Sequence, residues 1–140
     1  MGKLLAGATM AFLVGASLGR AADIQLGNDG GRYVIFVSGD IVEGDDQRFR
    51  AAAGNVAQAV VSLSSPGGSF VSGLQIAAIV HDRGYATIVA AGERCASVCG
   101  VIWLSGSTRY LTPSSKVGFH GVYNEELDRR IDDAMWPDIQ

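Results

Sequence analysis

Short hydrophobic runs alternate along the chain with segments in which hydrophobic residues recur at helical spacing. The aliphatic and aromatic run Tyr33–Val37 ends at Ser38-Gly39-Asp40, which is typical of a buried strand. The segment from Val71 to Arg83 has helical periodicity and is followed by Gly84, which predicts a helix packed on a sheet. Strands joined by helices predict an α/β fold with a mostly parallel sheet. The predicted strands are Tyr33–Val37, Val60–Leu63, Tyr85–Ala90, Arg109–Leu111 and Lys116–Phe119, and the predicted helices are Asp45–Gln58, Val71–Arg83 and Val98–Leu104.

The first 22 residues have a different pattern. Lys3 precedes an uncharged stretch from Leu4 to Leu18, and the small residues that follow offer cleavage after Ala21 or Ala22. The stretch is shorter than the ~20 apolar residues that span a bilayer. It predicts a secretory signal peptide over residues 1–22, with a retained membrane anchor as the alternative, followed by one domain over residues 23–140. We therefore expect a secreted or periplasmic bacterial protein that contacts the membrane only through its leader.

The amino-acid composition argues against several classes of function. The 140 residues suit one domain, and 19 glycines are about twice the usual ~7% share, which indicates tight turns and close backbone approaches. A net charge of −3 argues against a nucleic-acid surface. With two cysteines and no clustered histidine, the sequence predicts neither a zinc ribbon nor any other metal site, and no cofactor motif is present.

The turn Ser64-Ser65-Pro66-Gly67-Gly68-Ser69 lies between a predicted strand and a predicted helix. Proline fixes its own φ angle, and the two glycines allow conformations that other residues avoid. Without side chains there, a ligand can approach the backbone N–H groups, which is what an oxyanion hole requires. The alternative interpretation is an ordinary strand-to-helix turn.

Two side chains beyond this turn are candidates for acyl-transfer chemistry. Ser97 lies where a loop meets an apolar helix, so its hydroxyl would be exposed beside free N–H groups; the alternative is a helix N-cap. His120 follows a strand, and an imidazole can accept a serine's proton near neutral pH; the alternative is a structural histidine. His81 is expected to be a surface residue of a helix.

In order and spacing, these segments resemble the ClpP/crotonase superfamily, and within it the Clp-type serine peptidases. The resemblance runs from about Val34 to His120 and implies repeated β-β-α and βαβ units with a mostly parallel sheet, ending after the histidine strand. It is carried by Ile35-Phe36-Val37-Ser38-Gly39-Asp40-Ile41, Ser65-Pro66-Gly67-Gly68-Ser69, Ala96-Ser97, and the downstream residues Gly106, Arg109, Pro113, Ser115, Val117 and His120.

The resemblance implies a serine peptidase in which Ser97 is the nucleophile and His120 the general base. The backbone N–H groups of Gly68 and Val98 would form the oxyanion hole, with Pro66 and Gly67 shaping the turn. An extended peptide or protein substrate would pair with the backbone beside this turn and the His120 strand. The family needs no cofactor, and the resemblance leaves a homo-oligomer open.

Two features depart from the family pattern. In Clp-type peptidases the acidic third member lies well downstream of the histidine, so this chain is expected to stop short of that segment; its tail carboxylates at Asp128, Asp132, Asp133 and Asp138 lack the family context. Cys95 and Cys99 flank Ser97 where cytosolic Clp peptidases carry small residues. In an oxidising compartment they would form a disulfide that holds the serine turn, the alternative being two buried thiols.

Three other functions stay open at this point. One is a binding module that keeps the fold without a complete triad, and another is a crotonase acting on acyl-CoA, which export away from the CoA pool disfavours. The third is a serine–lysine dyad peptidase that uses Lys116 as its base. A base lysine must be buried to lower its pKa, whereas Lys116 follows a polar turn and is expected to be exposed.

Overall fold

The computed structural model describes residues 20–120, so most of the predicted leader and the whole acidic tail lie outside the described residues. In this range no helix is long and apolar enough to cross a bilayer. The elements follow in the order β1 (Asp23–Asp29), β2 (Arg32–Ser38), α1 (Asp45–Ala53), β3 (Ala59–Ser64), α2 (Phe70–Asp82), β4 (Ala86–Val89), β5 (Arg94–Ala96), α3 (Val98–Leu104), β6 (Arg109–Leu111) and β7 (Lys116–Gly118).

Five strands form the main sheet in the order β1-β2-β3-β4-β6, and β5 pairs with β7 in a second, two-stranded sheet. Among the strands of residues 20–120, only β1 runs antiparallel to its neighbour, which confirms the predicted α/β fold with a mostly parallel sheet. Single backbone bridges join Ile41 to Gly68 and Ser65 to Cys95. The loops that leave the carboxyl ends of β2 and β3 therefore lie beside the second sheet.

One hydrophobic core lies between the main sheet and the three helices. Every second residue of β3 is buried, and the register places buried Val61 opposite buried Ile35 of β2. Each helix contributes at least one side chain with no exposed surface: Phe49 from α1, Ile76 from α2 and Ile102 from α3. Successive side chains of a strand point to opposite faces, so one face of each predicted hydrophobic run packs into this core.

The first helix is shorter than its pattern predicts. The prediction extended it to Gln58, but α1 ends at Ala53 because Gly54 adopts a φ angle of 46° and its N–H bonds to the carbonyl oxygen of Arg50 at 3.1 Å. A glycine with positive φ is a common helix terminator, since a residue with a Cβ atom avoids that conformation.

Two strands are absent from the sequence-based prediction. β1 is largely exposed on both faces and polar in composition, so it lacks the hydrophobic alternation of a half-buried strand. Its hairpin turn did carry a signal: Gly30 and Gly31 both have positive φ angles, as a two-residue hairpin turn requires. The other strand, β5, has three residues, too few to show a period.

Candidate active site

Ser97 lies between the last residue of β5 and the first residue of α3. Its backbone angles are φ 58° and ψ −130°, and it is the one residue other than glycine with a positive φ in the range 20–120. Ser97 occupies the predicted N-cap position of α3, but its side chain makes no capping hydrogen bond to the helix. Ser97 is partly exposed, and its backbone has a conformation that residues with a Cβ atom rarely adopt.

Hydrogen bonds on both sides hold Ser97 in this conformation. The N–H of Ala96 donates to the carbonyl oxygen of Ser65 at 2.9 Å, and the N–H of Ser97 donates to the carbonyl oxygen of Gly118 at 2.9 Å. The serine carbonyl then accepts the N–H of Gly100 at 2.9 Å, which begins the helix. Strain at one residue persists when the surrounding structure fixes its neighbours in this way.

A disulfide between Cys95 and Cys99 closes around Ser97. Both cysteines are fully buried, and their Cα atoms lie 5.2 Å apart. The predicted pairing is therefore present in the structure, and the alternative of two buried thiols is not. Because the bond spans the serine and the start of α3, it restricts the segment that carries the hydroxyl.

The glycine turn packs directly on Ser97. Gly67 has a φ angle of 101°, and a Cβ atom placed on it would lie 2.7 Å from the Cβ of Ser97 and 2.8 Å from the carbonyl oxygen of Ala96. Real side chains do not tolerate such distances, so only glycine fits here. The buried hydroxyl of Ser65 accepts the N–H of Gly67 at 3.0 Å and fixes the turn from within.

Gly68 presents an N–H group beside this contact. Ile41 pairs with the residues on either side of it: its N–H donates to the carbonyl oxygen of Gly67 at 2.8 Å, and its carbonyl accepts the N–H of Ser69 at 2.6 Å. The Gly68 N–H itself has no acceptor within residues 20–120, and Gly68 is exposed. The N–H of Val98, the first residue of α3, likewise has no acceptor in that range.

Gly73 of α2 is a site residue that the sequence analysis missed. A Cβ atom placed on it would lie 2.8 Å from a Val98 methyl group, so its absence lets α2 approach the start of α3. Gly68 lies two residues before the start of α2, and Val98 is the first residue of α3. Glycine in a helix interior lowers helix stability by about 1 kcal/mol relative to alanine. A glycine inside a predicted helix therefore indicates close packing, and this was the signal in the sequence.

The segment that carries His120 lies next to the serine. The register of the second sheet pairs Ala96 with Gly118, the last residue of β7. Phe119 packs its ring on α3, since a Cβ atom placed on Gly100 would lie 2.6 Å from a ring carbon. His120 follows and is exposed. The structure therefore brings the main chain leading to His120 beside Ser97.

The other predicted residues lie away from this arrangement or outside the described range. His81 is exposed on α2, as predicted, and Lys116 is exposed, which disfavours it as a desolvated base. The four tail carboxylates lie beyond residue 120. No group of three potential metal ligands occurs within residues 20–120. A cavity of about 630 Å³, lined by Arg32, Gln58 and Ser107 among others, lies at the amino ends of β2, β3 and β4.

Solved structures match this architecture. The ClpP protease catalytic domain from Plasmodium falciparum matches with a TM-score of 0.57 at 19% identity, over 74% of this chain and 62% of that chain. A mutant of ClpP1 from Listeria monocytogenes matches with a TM-score of 0.59 at 15% identity, over 73% of this chain and 64% of that chain. The chain has a ClpP-like fold. It spans a little under two thirds of the length of either structure.

Neither a protein-family model nor a curated protein sequence matches this chain. The ClpP-like fold confirms the architecture that the sequence resemblance implies. Identities of 15% and 19% show the fold alone, and the roles of Ser97 and His120 stay predictions.

Proposed function

We propose that this protein is an exported serine hydrolase of the peptidase type, with Ser97 as its nucleophile and His120 as its general base. The N–H groups of Gly68 and Val98 form the oxyanion hole, and no metal or cofactor takes part. The substrate is an extended segment of a peptide or protein. The glycine turn follows the carboxyl end of β3 and Ser97 follows that of β5, and α/β folds commonly bind their ligands at the carboxyl ends of parallel strands.

The conformation of Ser97 is the observation that carries the proposal. Its φ is positive and its side chain makes no capping hydrogen bond, and a disulfide and three backbone hydrogen bonds maintain that conformation. A surface serine without a function has no reason to keep an arrangement that costs about 1–3 kcal/mol. The contact between Ser97 and Gly67 places a glycine turn with an open N–H beside the serine, as acyl-transfer chemistry requires.

The proposed reaction is hydrolysis in two acyl transfers. His120 takes the proton from the Ser97 hydroxyl while the oxygen bonds to the substrate carbonyl carbon, and the negative charge moves to the carbonyl oxygen. The carbon–nitrogen bond then breaks, and His120 gives the proton to the leaving amine. A water molecule, deprotonated by His120, then attacks the acyl-enzyme carbonyl carbon. His120 returns that proton to the Ser97 oxygen as the ester bond breaks, which releases the carboxylic acid and restores both residues.

The two backbone donors supply the electrostatic part of catalysis. The N–H groups of Gly68 and Val98 have no acceptor among residues 20–120, so they are available to the developing oxyanion. Fixed donors need no reorganisation as the charge forms, and the loss of one typically costs 10²–10³-fold in rate.

Peptide substrates and export rest on separate arguments. The two matched structures are named as ClpP proteins, one of them a protease catalytic domain, and an extended peptide can pair with exposed backbone beside the glycine turn. The pattern of the first 22 residues favours export, and a disulfide formed by the chain's two cysteines suits an oxidising compartment.

A fluorophosphonate probe tests the site directly, because it bonds to activated serine hydroxyls. The full-length secreted protein is labelled as wild type and as Ser97→Ala, His120→Ala and Lys116→Ala, and the labelled peptide is identified by mass spectrometry. We expect labelling of wild type and of Lys116→Ala, none of Ser97→Ala, and at least 100-fold slower labelling of His120→Ala.

Matched controls come from the same chain. Ser105→Ala removes a serine of similar exposure from the other end of α3, and His81→Ala removes an exposed histidine; both should label like wild type. Labelling that survives Ser97→Ala would exclude this nucleophile. Labelling lost in Lys116→Ala but kept in His120→Ala would establish the dyad, and a wild type that never labels would point to a binding module.

A further inference from the structure

The chain is anchored in the fold at the residues where its leader is predicted to end. Ala22 has no exposed surface and belongs to the hydrophobic core, although the first strand begins only at Asp23. The preceding residue, Ala21, is half-buried and forms a backbone bridge with Asp40. The two predicted cleavage sites, on either side of Ala22, therefore differ in their structural consequences.

The backbone nitrogen of Ala22 points to a buried carboxylate. Its N–H donates to Oδ2 of Asp45 at 3.3 Å, and Asp45 has no exposed surface. The same oxygen accepts the N–H of Val42 at 2.8 Å, and Oδ1 pairs with the guanidinium of Arg48 at 2.6 Å. The contact from Ala22 is the longest of the three. Its nitrogen belongs to the Ala21–Ala22 peptide bond, which is one of the two predicted cleavage sites.

Cleavage after Ala22 would remove a fully buried side chain and a donor to the carboxylate. Cleavage after Ala21 keeps both, because Ala22 and its nitrogen stay in the mature chain. Water added across the Ala21–Ala22 peptide bond leaves a carboxylate on Ala21 and an ammonium group on Ala22. Water is the co-reactant, and the endopeptidase that removes export leaders is the catalyst. A buried core position and a hydrogen bond to a buried acid both favour retention of Ala22.

We propose that the mature chain begins at Ala22 and that its α-ammonium group forms an ion pair with buried Asp45. This inference rests on the proposed export. An ammonium group offers up to three hydrogens and carries a full positive charge. The peptide N–H offers one hydrogen and carries no net charge. Hydrogen bonds between an ammonium group and a carboxylate typically span about 2.7–2.9 Å, so removal of the leader shortens the 3.3 Å contact.

The ion pair couples leader removal to the fold. Asp45 is the first residue of α1, and its oxygens already hold Val42 and Arg48. The new terminus therefore joins the start of β1 to the loop and helix that follow β2. Before cleavage, Ala22 offers this carboxylate its peptide N–H.

The first test is the N-terminal sequence of the protein recovered from the periplasm or medium after expression with its leader. We expect a chain that starts at Ala22. An exported chain that starts at Asp23, or anywhere else, would overturn the cleavage inference while export stands. An intact chain that starts at Met1 and stays in the cytosol would overturn the proposed export as well, so the two failures are distinguishable.

The second test measures the reactivity of the new amine by reductive methylation, followed by mass spectrometry. A chain that starts at Ala22 contains one other amine, on exposed Lys116, which serves as the internal standard. A free α-amine reacts faster than a lysine near neutral pH because its pKa is lower. We expect the Ala22 amine in the folded protein to react at least 10-fold slower than in urea-unfolded protein.

The ion pair is tested by Asp45→Asn, which should raise the Ala22 methylation rate at least several-fold relative to Lys116. Asp46→Asn is the matched control, since it removes the same charge from the next residue, and it should leave the rate unchanged. Equal rates in Asp45→Asn and wild type would overturn the ion pair. If Asp45→Asn does not fold, the wild type alone decides: an Ala22 amine as reactive as in the unfolded chain would refute the inference.

Discussion

The strained conformation of Ser97 makes a quantitative prediction: replacement by glycine should stabilise the protein. Ser97 has φ 58° and ψ −130°, and its side chain makes no capping hydrogen bond that the replacement would remove. Glycine adopts such angles freely, whereas any residue with a Cβ atom is strained there. The Ser97→Gly variant would therefore lose the nucleophile and the strain together.

The magnitude follows from two opposing terms. Relief of an unfavourable backbone conformation is worth about 1–3 kcal/mol. Glycine also gains freedom in the unfolded chain, which costs about 0.4–1 kcal/mol relative to alanine. We expect Ser97→Gly to raise the free energy of unfolding by about 0.5–2 kcal/mol over Ser97→Ala, which keeps the Cβ atom and hence the strain. For a domain of this size, each kcal/mol moves Tm by about 4 °C.

Urea unfolding of the two variants measures the difference, and both variants should fail to label with the fluorophosphonate. Ser105 at the end of α3 is the matched control, because its φ of −74° suits any residue. There the order should reverse, with Ser105→Gly less stable than Ser105→Ala. A Ser97→Gly variant no more stable than Ser97→Ala would refute the claim that the fold holds this serine under strain.

Three further predictions concern the surroundings of the serine. Gly67→Ala forces a Cβ atom to 2.7 Å from Ser97 and should slow labelling at least 100-fold, whereas Gly84→Ala, at a positive φ in open space, should cost stability and leave labelling unchanged. Ser65→Ala leaves the buried Gly67 N–H without its acceptor, which should lower the free energy of unfolding by about 1–3 kcal/mol and slow labelling; unchanged values for both would contradict its role. The double variant Cys95→Ala/Cys99→Ala opens a very small loop, so it should cost ~2 kcal/mol or less in stability but lower the labelling rate; equal rates would show that the disulfide does not hold the nucleophile.

The hydrophobic pattern predicts the elements that build the core. α3 begins and ends at the predicted residues, Val98 and Leu104, and β6 matches its predicted bounds as well. Segments of this kind are predictable because burial on one face imposes a period that the sequence must carry. β1 was missed for the same reason, since a strand largely exposed on both faces needs no period.

The candidate chemistry was only partly predictable. A glycine pair after a strand and a serine before an apolar helix indicated acyl transfer, but both segments also suited an ordinary turn and an N-cap. The absence of a side-chain capping bond at Ser97, like its φ of 58°, is a property of the folded chain that the sequence does not report. The contact of Gly67 with Ser97 and the role of Gly73 depend on residues distant in sequence, and no local pattern reports such distances.

The sequence by itself determined the α/β architecture, the pairing partners available to two cysteines, and the residue types that hydrolysis would need. These features depend on periodicity and composition, which are local. Only the tertiary structure decided that the turn after β3 packs on the serine after β5, that β7 runs beside that serine, and that Ala22 belongs to the core. The physical reason is that the strain at Ser97 and the carboxylate facing Ala22 are held by hydrogen bonds and packing between segments that meet only once the sheet has formed.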